Sequence, residues 1–233
     1  MSVQSPVRVY YPTSDGKPMA ETDLHRDDMN YLIEALKEFF RDDSQVYVTG
    51  NILLYYEEGN PQRCVSPDVM VVKGIEKRRR DNYLLWEEGK GPDVVIEVTS
   101  KKTRKQDREK KYDLYEQVLQ VKEYFQYDPR QEWIKEGIRG HRLIEGTYEP
   151  IERLPSGRWW SAELGVELAL EGGQVHVYDP VTERKLLRRE EMESALREAE
   201  IRAAEEAAAR RQVEAELERL RAELVRRRTE PRE

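Results

Sequence analysis

The sequence runs Pro92-Asp93-Val94-Val95-Ile96-Glu97-Val98-Thr99-Ser100 near its middle, and this stretch decides the fold. Its apolar residues form an almost continuous run, which is typical of a strand that lies mid-sheet with both faces covered. We therefore predict a strand over 93–99. A similar apolar run, Val69 to Val72, follows Pro67-Asp68 and predicts a second strand over 68–73.

Helices and further strands are predicted on both sides of these two runs. Thr22 or Asp23 can cap a helix that continues to about Arg41, because apolar residues recur there at helical spacing. The same spacing predicts a helix over 105–119. Shorter apolar runs predict strands over 45–56 (bent or broken at Gly50-Asn51), 124–129, 141–144 and 174–178.

This order of elements predicts an α/β (α+β) fold, with a mixed central sheet flanked by the helices near 24–41 and 105–119. From about Val181 the composition changes to Glu, Arg, Ala and Leu. We therefore expect two domains, a globular one over 1–180 and a charged helical extension over 181–233.

The extension carries a heptad pattern, which favours a long helix that pairs with a second copy or folds back. A lone charged helix held by i,i+4 Glu–Arg pairs is the alternative. The pattern requires polar residues at Glu206 and Arg210. Its apolar positions are Met192, Leu196, Ala199, Ala203, Val213, Leu217, Leu220 and Leu224.

Charge is distributed unevenly along the 233 residues, whose net charge is −7. Residues 73–111 hold 13 Lys/Arg and 8 Asp/Glu, a local net charge of +5, which could face a phosphate backbone. No apolar stretch is long enough to cross a membrane, and the N-terminus lacks the pattern of a secretory signal. The single cysteine, Cys64, fits a reducing compartment, so we expect a cytoplasmic protein.

Asp68 and Glu97 are acidic residues that lie at the ends of the two strand-like runs, close in sequence to a basic segment. Two carboxylates beside Lys and Arg can hold Mg²⁺ against a phosphodiester, with the Val98 carbonyl as a third oxygen ligand. A solvated pair of strand-end acids is the alternative. The three histidines are scattered, so no zinc-like cluster is present in the sequence.

Several segments in the same order resemble the PD-(D/E)xK nuclease superfamily and, more narrowly, the Uma2 family of restriction endonucleases. The segments are Ser66-Pro67-Asp68 with its strand, Pro92 to Ser100, the Asp107, Lys111 and Tyr115 series, Glu123 to Pro129, and His25 at the start of the first helix. The resemblance implies a restriction-endonuclease-like core and Mg²⁺- or Mn²⁺-dependent cleavage of DNA. It implies catalytic roles for Asp68, Glu97 and Lys111, with metal bound by Asp68, Glu97 and Val98.

One position departs from the superfamily pattern, because Thr99 stands where that pattern has a lysine. Lys111 is our candidate for the missing cation, with Lys101 and Lys102 as competitors. His25, Asp107 and Tyr115 are accessory candidates; the alternatives are a surface histidine, a salt-bridge partner of Lys111 and a core tyrosine.

DNA is the expected partner, together with a second copy of the chain bound through the C-terminal helix. Sequence-independent backbone contacts are expected from Lys101, Lys102, Arg104, Lys105 and Arg108. The missing lysine keeps open a non-catalytic nucleic-acid-binding or assembly protein with the same fold. A metal-dependent hydrolase acting on a smaller substrate is a third alternative.

Overall fold

The computed structural model describes residues 9–14, 16, 22–99 and 110–229, and of residues 225–229 the backbone alone. The chain divides into two compact units, Met1–Leu186 and Leu187–Glu233. The first is an α/β unit with a mixed central sheet, and the second is a long C-terminal helix, so the predicted fold class is confirmed.

Strands dominate the first unit. Its described elements are, in chain order, α1 (Asp23–Phe39), β1 (Val46–Thr49), β2 (Leu54–Tyr55), β3 (Cys64–Val65), β4 (Val69–Lys73), β5 (Tyr83–Leu84), α2 (Leu85–Glu88), β6 (Val94–Val98), a π-helix (Leu114–Val118), β7 (Glu123–Tyr127), β8 (Ile138–Ile144), β9 (Thr147–Ile151), β10 (Trp159–Ser161), β11 (Val166–Glu171), β12 (Gln174–Asp179) and β13 (Arg184–Lys185).

Six of the described strands form the central sheet in the order β1-β4-β6-β7-β8-β9. β4 and β6 are antiparallel, with Val69 opposite Ile96, whereas β6 and β7 are parallel, with Glu97 opposite Gln126. The carboxyl ends of β6 and β7 therefore lie at the same edge of the sheet as the start of β4. Both predicted central strands are confirmed, and every residue of β6 is buried.

Alternate residues of the central strands pack on opposite faces of the sheet, as the period of a strand requires. One face packs against α1 and the β10-β11-β12-β13 sheet; its central residues include Val69, Val71, Val94, Ile96, Val98, Phe125 and Tyr127. The other face packs against residues that follow β6 and against Tyr148; its central residues include Met70, Val72, Val95 and Tyr124.

Helix α1 begins as the sequence predicts. The side chain of Thr22 accepts a hydrogen bond from the His25 amide at 3.3 Å, which satisfies one free N–H of the first turn. Its buried residues include Leu32 and Leu36, both fully covered, and they join the core on one face of the sheet. The cap therefore fixes where His25 lies relative to the sheet.

The predicted helix over 105–119 is described only from residue 110 onward. There it includes a π-helix, Leu114–Val118, in which the Leu119 amide donates to the Leu114 carbonyl at 2.9 Å. Such wide turns are rare and change which side chains share a face of the helix.

The second unit contains helix α3, Arg189–Thr229, which is 41 residues long. Among the described helices of the chain, none combines the length and apolar character needed to span a bilayer.

Candidate active site

The edge of the sheet where β4 begins and β6 ends brings the two predicted site acids together. Asp68 immediately precedes β4, and Glu97 is the penultimate residue of β6. Because β4 and β6 are antiparallel, these positions are adjacent, and the alternation along each strand places both side chains on the same face. The site therefore lies where the sheet changes from antiparallel to parallel pairing.

Asp68 is held by a backbone amide and a histidine. Its Oδ2 accepts a hydrogen bond from the Val98 amide at 2.8 Å and lies 3.2 Å from His25 Nε2. In a regular strand the N–H and C=O of one residue point to the same side, so we expect the Val98 carbonyl on the Asp68 side of β6. The side chain of Asp68 is 15% exposed, so this carboxylate can be reached from solvent.

The turn before β2 packs against the backbone of Asp68. The Asn51 amide donates to the Pro67 carbonyl at 2.8 Å, and Asn51 has a φ of 54°. A Cβ added to Gly50 would overlap the carbonyl oxygen of Asp68, so only glycine fits there without a shift of the backbone. The predicted bend at Gly50-Asn51 is thus part of the support of the site.

The pKa of Asp68 is lowered. Burial disfavours its charged form, but the hydrogen bond from His25 and the positive charge of Lys111 outweigh burial, and a contact with Glu97 acts in the same direction. Asp68 is therefore a carboxylate at neutral pH, the form in which it can bind a cation.

Glu97 is held by two donors from the segment that follows β6. Lys111 Nζ lies 2.8 Å from Glu97 Oε2, and the Tyr115 hydroxyl donates to Oε1 at 2.6 Å. The side chain of Glu97 is 1% exposed and that of Lys111 is 15% exposed. Lys111 Nζ also lies 3.4 Å from the Ser66 carbonyl, which ties the segment to the residue two before Asp68.

Tyr115 is fully buried, and its pKa is raised well above the ordinary value, because burial and then the charge of Glu97 disfavour the phenolate. It therefore remains a hydrogen-bond donor to Glu97. Tyr115 lies in the π-helix one turn after Lys111, so a single irregular turn presents both donors to one carboxylate.

The donor set at this edge fits a magnesium-type cation. It contains two carboxylates and the Val98 carbonyl, all of them oxygen donors, and Mg²⁺ is commonly bound through one or two carboxylates plus waters and substrate phosphates. Within residues 22–99 and 110–224, no group of three His, Cys, Asp or Glu side chains has metal-binding geometry. A cation at this edge would take its remaining ligands from water and substrate.

The opposite end of β6 carries a different acid. Asp93 accepts from the Lys73 amide at 2.7 Å, and its oxygens lie 2.9 Å from Lys122 Nζ and 3.2 Å from Lys90 Nζ. These partners surround the carboxylate, whose side chain is 1% exposed. Asp93 therefore belongs to an ion-pair network of the fold, in agreement with its expected place at the start of a strand.

Comparison with protein families matches the chain to the family Uma2, described as “putative restriction endonuclease”, over residues 3–177. The chain belongs to the Uma2 family. Among the curated proteins none matches this Uma2 chain. A solved structure described as a “putative nuclease belonging to DUF820”, from Anabaena variabilis ATCC 29413, is 13% identical, with a TM-score of 0.43, and the alignment covers 60% of this chain and 76% of that chain. The family assignment rests on the sequence match.

The structure of this Uma2 chain thus brings together Asp68, Glu97, Val98, Lys111, Tyr115 and His25. Their catalytic and metal-binding roles stay predictions. The remaining predicted site residues lie outside the described part of the chain: Lys101, Lys102, Arg104, Lys105, Asp107 and Arg108.

Two contributions to the site were missed by the sequence prediction, the Val98 amide and the close approach of Gly50. The Val98 amide carries no sequence signal, because any residue except proline supplies an N–H. The Gly50-Asn51 pair was noticed as a bend, but its packing partner could not be inferred from the local sequence.

Proposed function

We propose that this Uma2 protein is a Mg²⁺-dependent endonuclease that hydrolyses phosphodiester bonds of DNA. The observation that supports this best is the meeting of Asp68, Glu97 and Lys111 at one edge of the sheet, with Lys111 Nζ 2.8 Å from Glu97. Two carboxylates and an ammonium group are the protein groups that metal-assisted phosphodiester hydrolysis requires. Membership of the Uma2 family supports the same class of reaction.

Each residue of the site has a distinct part in this proposal. Asp68, Glu97 and the Val98 carbonyl bind the cation, which when present neutralises the scissile phosphate and acidifies a water molecule. His25 and the Val98 amide orient the Asp68 carboxylate, and Tyr115 orients Glu97. Lys111 orients the attacking water or stabilises the charge that develops on the phosphate.

The basic residues that follow Glu97 in sequence would contact the DNA backbone. They carry positive charge immediately beside the site in the sequence, where a phosphate chain would pass. Contacts of this kind do not read bases. The residues are Lys101, Lys102, Arg104, Lys105 and Arg108.

The test is a set of carboxylate substitutions assayed on supercoiled plasmid with Mg²⁺, with Mn²⁺ and with EDTA. We expect Asp68→Asn and Glu97→Gln each to lower Mg²⁺-dependent cleavage by about 100-fold or more, since the cation provides several kcal/mol of transition-state stabilisation. DNA binding should persist, because the residues assigned to the backbone path are unchanged. Calorimetric titration with Mn²⁺ should show loss of the metal site in both variants.

Asp93→Asn is the matched control, because it also removes a buried carboxylate, but one that precedes β6 at the end of the strand opposite to Glu97. It should retain cleavage. DNA binding without cleavage by the wild-type protein would indicate the non-catalytic binding or assembly role. Cleavage of nucleotides but not of plasmid would indicate a hydrolase for smaller substrates.

A further inference from the structure

Helix α3 exposes a stripe of large apolar side chains. Met192, Leu196, Val213, Leu217, Leu220 and Leu224 are between 44% and 65% exposed, and they follow the alternating spacing of three and four residues that forms one seam. Leaving such a stripe in water is unfavourable, because burial of each apolar side chain lowers the free energy. The seam therefore needs a covering partner.

We propose that α3 of one chain pairs with α3 of a second copy in antiparallel orientation, about a two-fold axis at Ala208. In a two-fold dimer, residue i of one copy faces residue j of the other, and j faces i. The ten seam positions are symmetric about Ala208. The antiparallel pairs are Met192 with Leu224, Leu196 with Leu220, Ala199 with Leu217, Ala203 with Val213, and Glu206 with Arg210.

Charge complementarity at the centre of the seam favours this orientation. An antiparallel pair places Glu206 opposite the partner's Arg210 and repeats the contact by symmetry. A parallel pair in register would place two Glu206 carboxylates opposite each other and two Arg210 guanidinium groups opposite each other. Within one helix the Arg210 guanidinium already lies 2.6 Å from Glu206, so both charges are on the seam face.

Side-chain size favours the same orientation. The antiparallel pairs set Ala199 against Leu217 and Ala203 against Val213, so each layer combines a small and a large side chain. A parallel pair would form two layers of alanine alone, which leaves gaps, and layers of two leucines beside them. Even filling of successive layers is the arrangement that buries most apolar surface.

Charges beside the seam do not decide between the orientations. The antiparallel arrangement pairs Arg202 with the partner's Glu216 and Glu193 with the partner's Arg221, but it also sets Glu200 beside the partner's Glu214. The parallel arrangement pairs Glu216 with the partner's Arg221. The seam residues themselves therefore favour the antiparallel orientation.

The two orientations predict very different distances between the beginnings of the helices. Met192 and Leu224 are 32 positions apart, so at about 1.5 Å per residue they are separated by about 48 Å along the helix. An antiparallel pair separates the two Met192 residues by roughly that length, whereas a parallel pair places them side by side.

The first experiment measures distances in the full-length protein by pulsed electron spin resonance. A spin label at Ser194→Cys, in a Cys64→Ser background, should report a separation of about 40 Å between the two copies in the antiparallel dimer. A mixture of chains labelled at Ser194→Cys and at Ala222→Cys should add a distance of roughly 20 Å. Side-by-side labels at position 194 would overturn the proposal.

The second experiment exchanges the central charges and measures dimer dissociation by analytical ultracentrifugation. Glu206→Arg places four arginines at the centre of an antiparallel seam and should weaken the dimer about tenfold or more. The double variant E206R/R210E restores opposite charges and should recover the wild-type affinity to within about threefold. Glu205→Arg, the same charge change beside the seam, is the control.

Three further results would contradict the antiparallel dimer. They are a wild-type protein that remains monomeric at high concentration, a Glu206→Arg variant as tight as the wild type, and a double variant no better than the single one. Circular dichroism of each variant shows whether the helix itself is retained.

Discussion

The positive charge beside the Glu97 carboxylate comes from Lys111, which lies 14 positions later in the chain. Thr99, two residues after Glu97, is 6% exposed, and its hydroxyl has no hydrogen-bond partner among the described residues. A threonine brings no charge to the site. Lys111 lies at the Glu97 carboxylate instead. The four-residue step from Lys111 to Tyr115 was visible in the sequence. It made Lys111 the candidate over Lys101 and Lys102, which lie outside the described residues.

Replacement of Lys111 tests this assignment at the level of one residue. Lys111→Met removes the ammonium group beside Glu97 and should lower metal-dependent cleavage by about 100-fold or more. Lys111→Arg keeps the charge but changes its geometry, so it should retain part of the activity. Initial rates on plasmid, with circular dichroism to monitor folding, provide the measurement.

Lys110→Met is the control for this substitution, because Lys110 is the adjacent residue and is exposed. An equal loss of cleavage in both variants would show that general basic charge, and not the contact with Glu97, is responsible. Full activity of Lys111→Met would remove Lys111 from the mechanism.

The turn between β1 and β2 shows what a single connection contributes to the site. Gly50 lies against the backbone of Asp68, and the side chain of Ile33 in α1 closes the same space. The turn thus links the first helix, the sheet and the site acid. Sequence patterns indicate that a chain bends at such a pair, but they do not show what the bend packs against.

Gly50→Ala should therefore impair the site without changing any charged group. The added methyl group would overlap the Asp68 carbonyl, so the backbone must move, at a cost of about 1–3 kcal/mol in the free energy of unfolding. We expect reduced Mn²⁺ affinity and reduced cleavage together. Urea denaturation and calorimetric titration measure the two effects.

Gly91→Ala provides a matched comparison. Its added Cβ would meet no described atom closer than 3.5 Å, and its φ is outside the left-handed region. It should leave stability and metal binding close to those of the wild type. Equal behaviour of the two variants would mean that the approach of Gly50 to Asp68 is unimportant.

Long apolar runs predicted their elements well, whereas strands without such a run were missed. β4, β6, β7 and α1 appear where hydrophobic spacing predicts them. The strands β9, β10 and β11 lie between 144 and 174, where no strand was predicted. Gly172-Gly173 has φ values of 60° and 81° and joins β11 to β12 as a two-residue hairpin turn, so the glycine pair was an available signal. The π-helix, Leu114–Val118, has no comparable signature in the sequence.

At the scale of the whole molecule, the two ends of β6 have different roles. The Glu97 end holds the candidate site, and the Asp93 end holds an ion-pair network that reaches Lys73, Lys122 and Glu163. Buried carboxylates at both ends look alike in the sequence. They differ only in the partners that the fold supplies.

Acid denaturation should depend on the Asp93 network. The pKa of Asp93 is lowered: burial opposes ionisation, but the Lys73 amide, Lys122 and Lys90 outweigh burial. A carboxylate with a lowered folded pKa stabilises the fold above its unfolded pKa of 3.8, and that stabilisation is lost as the pH falls through the folded pKa. Asp93→Asn should thus cost about 2 kcal/mol at neutral pH, and the difference from wild type should shrink in acid below pH 3.8.

Urea midpoints measured across the pH range give this comparison directly, with the exposed Asp42→Asn as the surface control. A destabilisation of Asp93→Asn that stays constant into strong acid would show that charge is not its cause.

The parallel pairing of β6 with β7 has a further consequence for how the chain reaches its working state. Lys111 and Tyr115, the donors to Glu97 described above, belong to the crossover that connects these two strands, so neither can reach its place until the crossover has closed. Non-local pairings of this kind are slow steps in folding. Any chemistry that depends on Glu97 would then occur only in fully folded molecules. Partly folded molecules would have the Glu97 carboxylate but would lack its contacts with the Lys111 ammonium group and the Tyr115 hydroxyl.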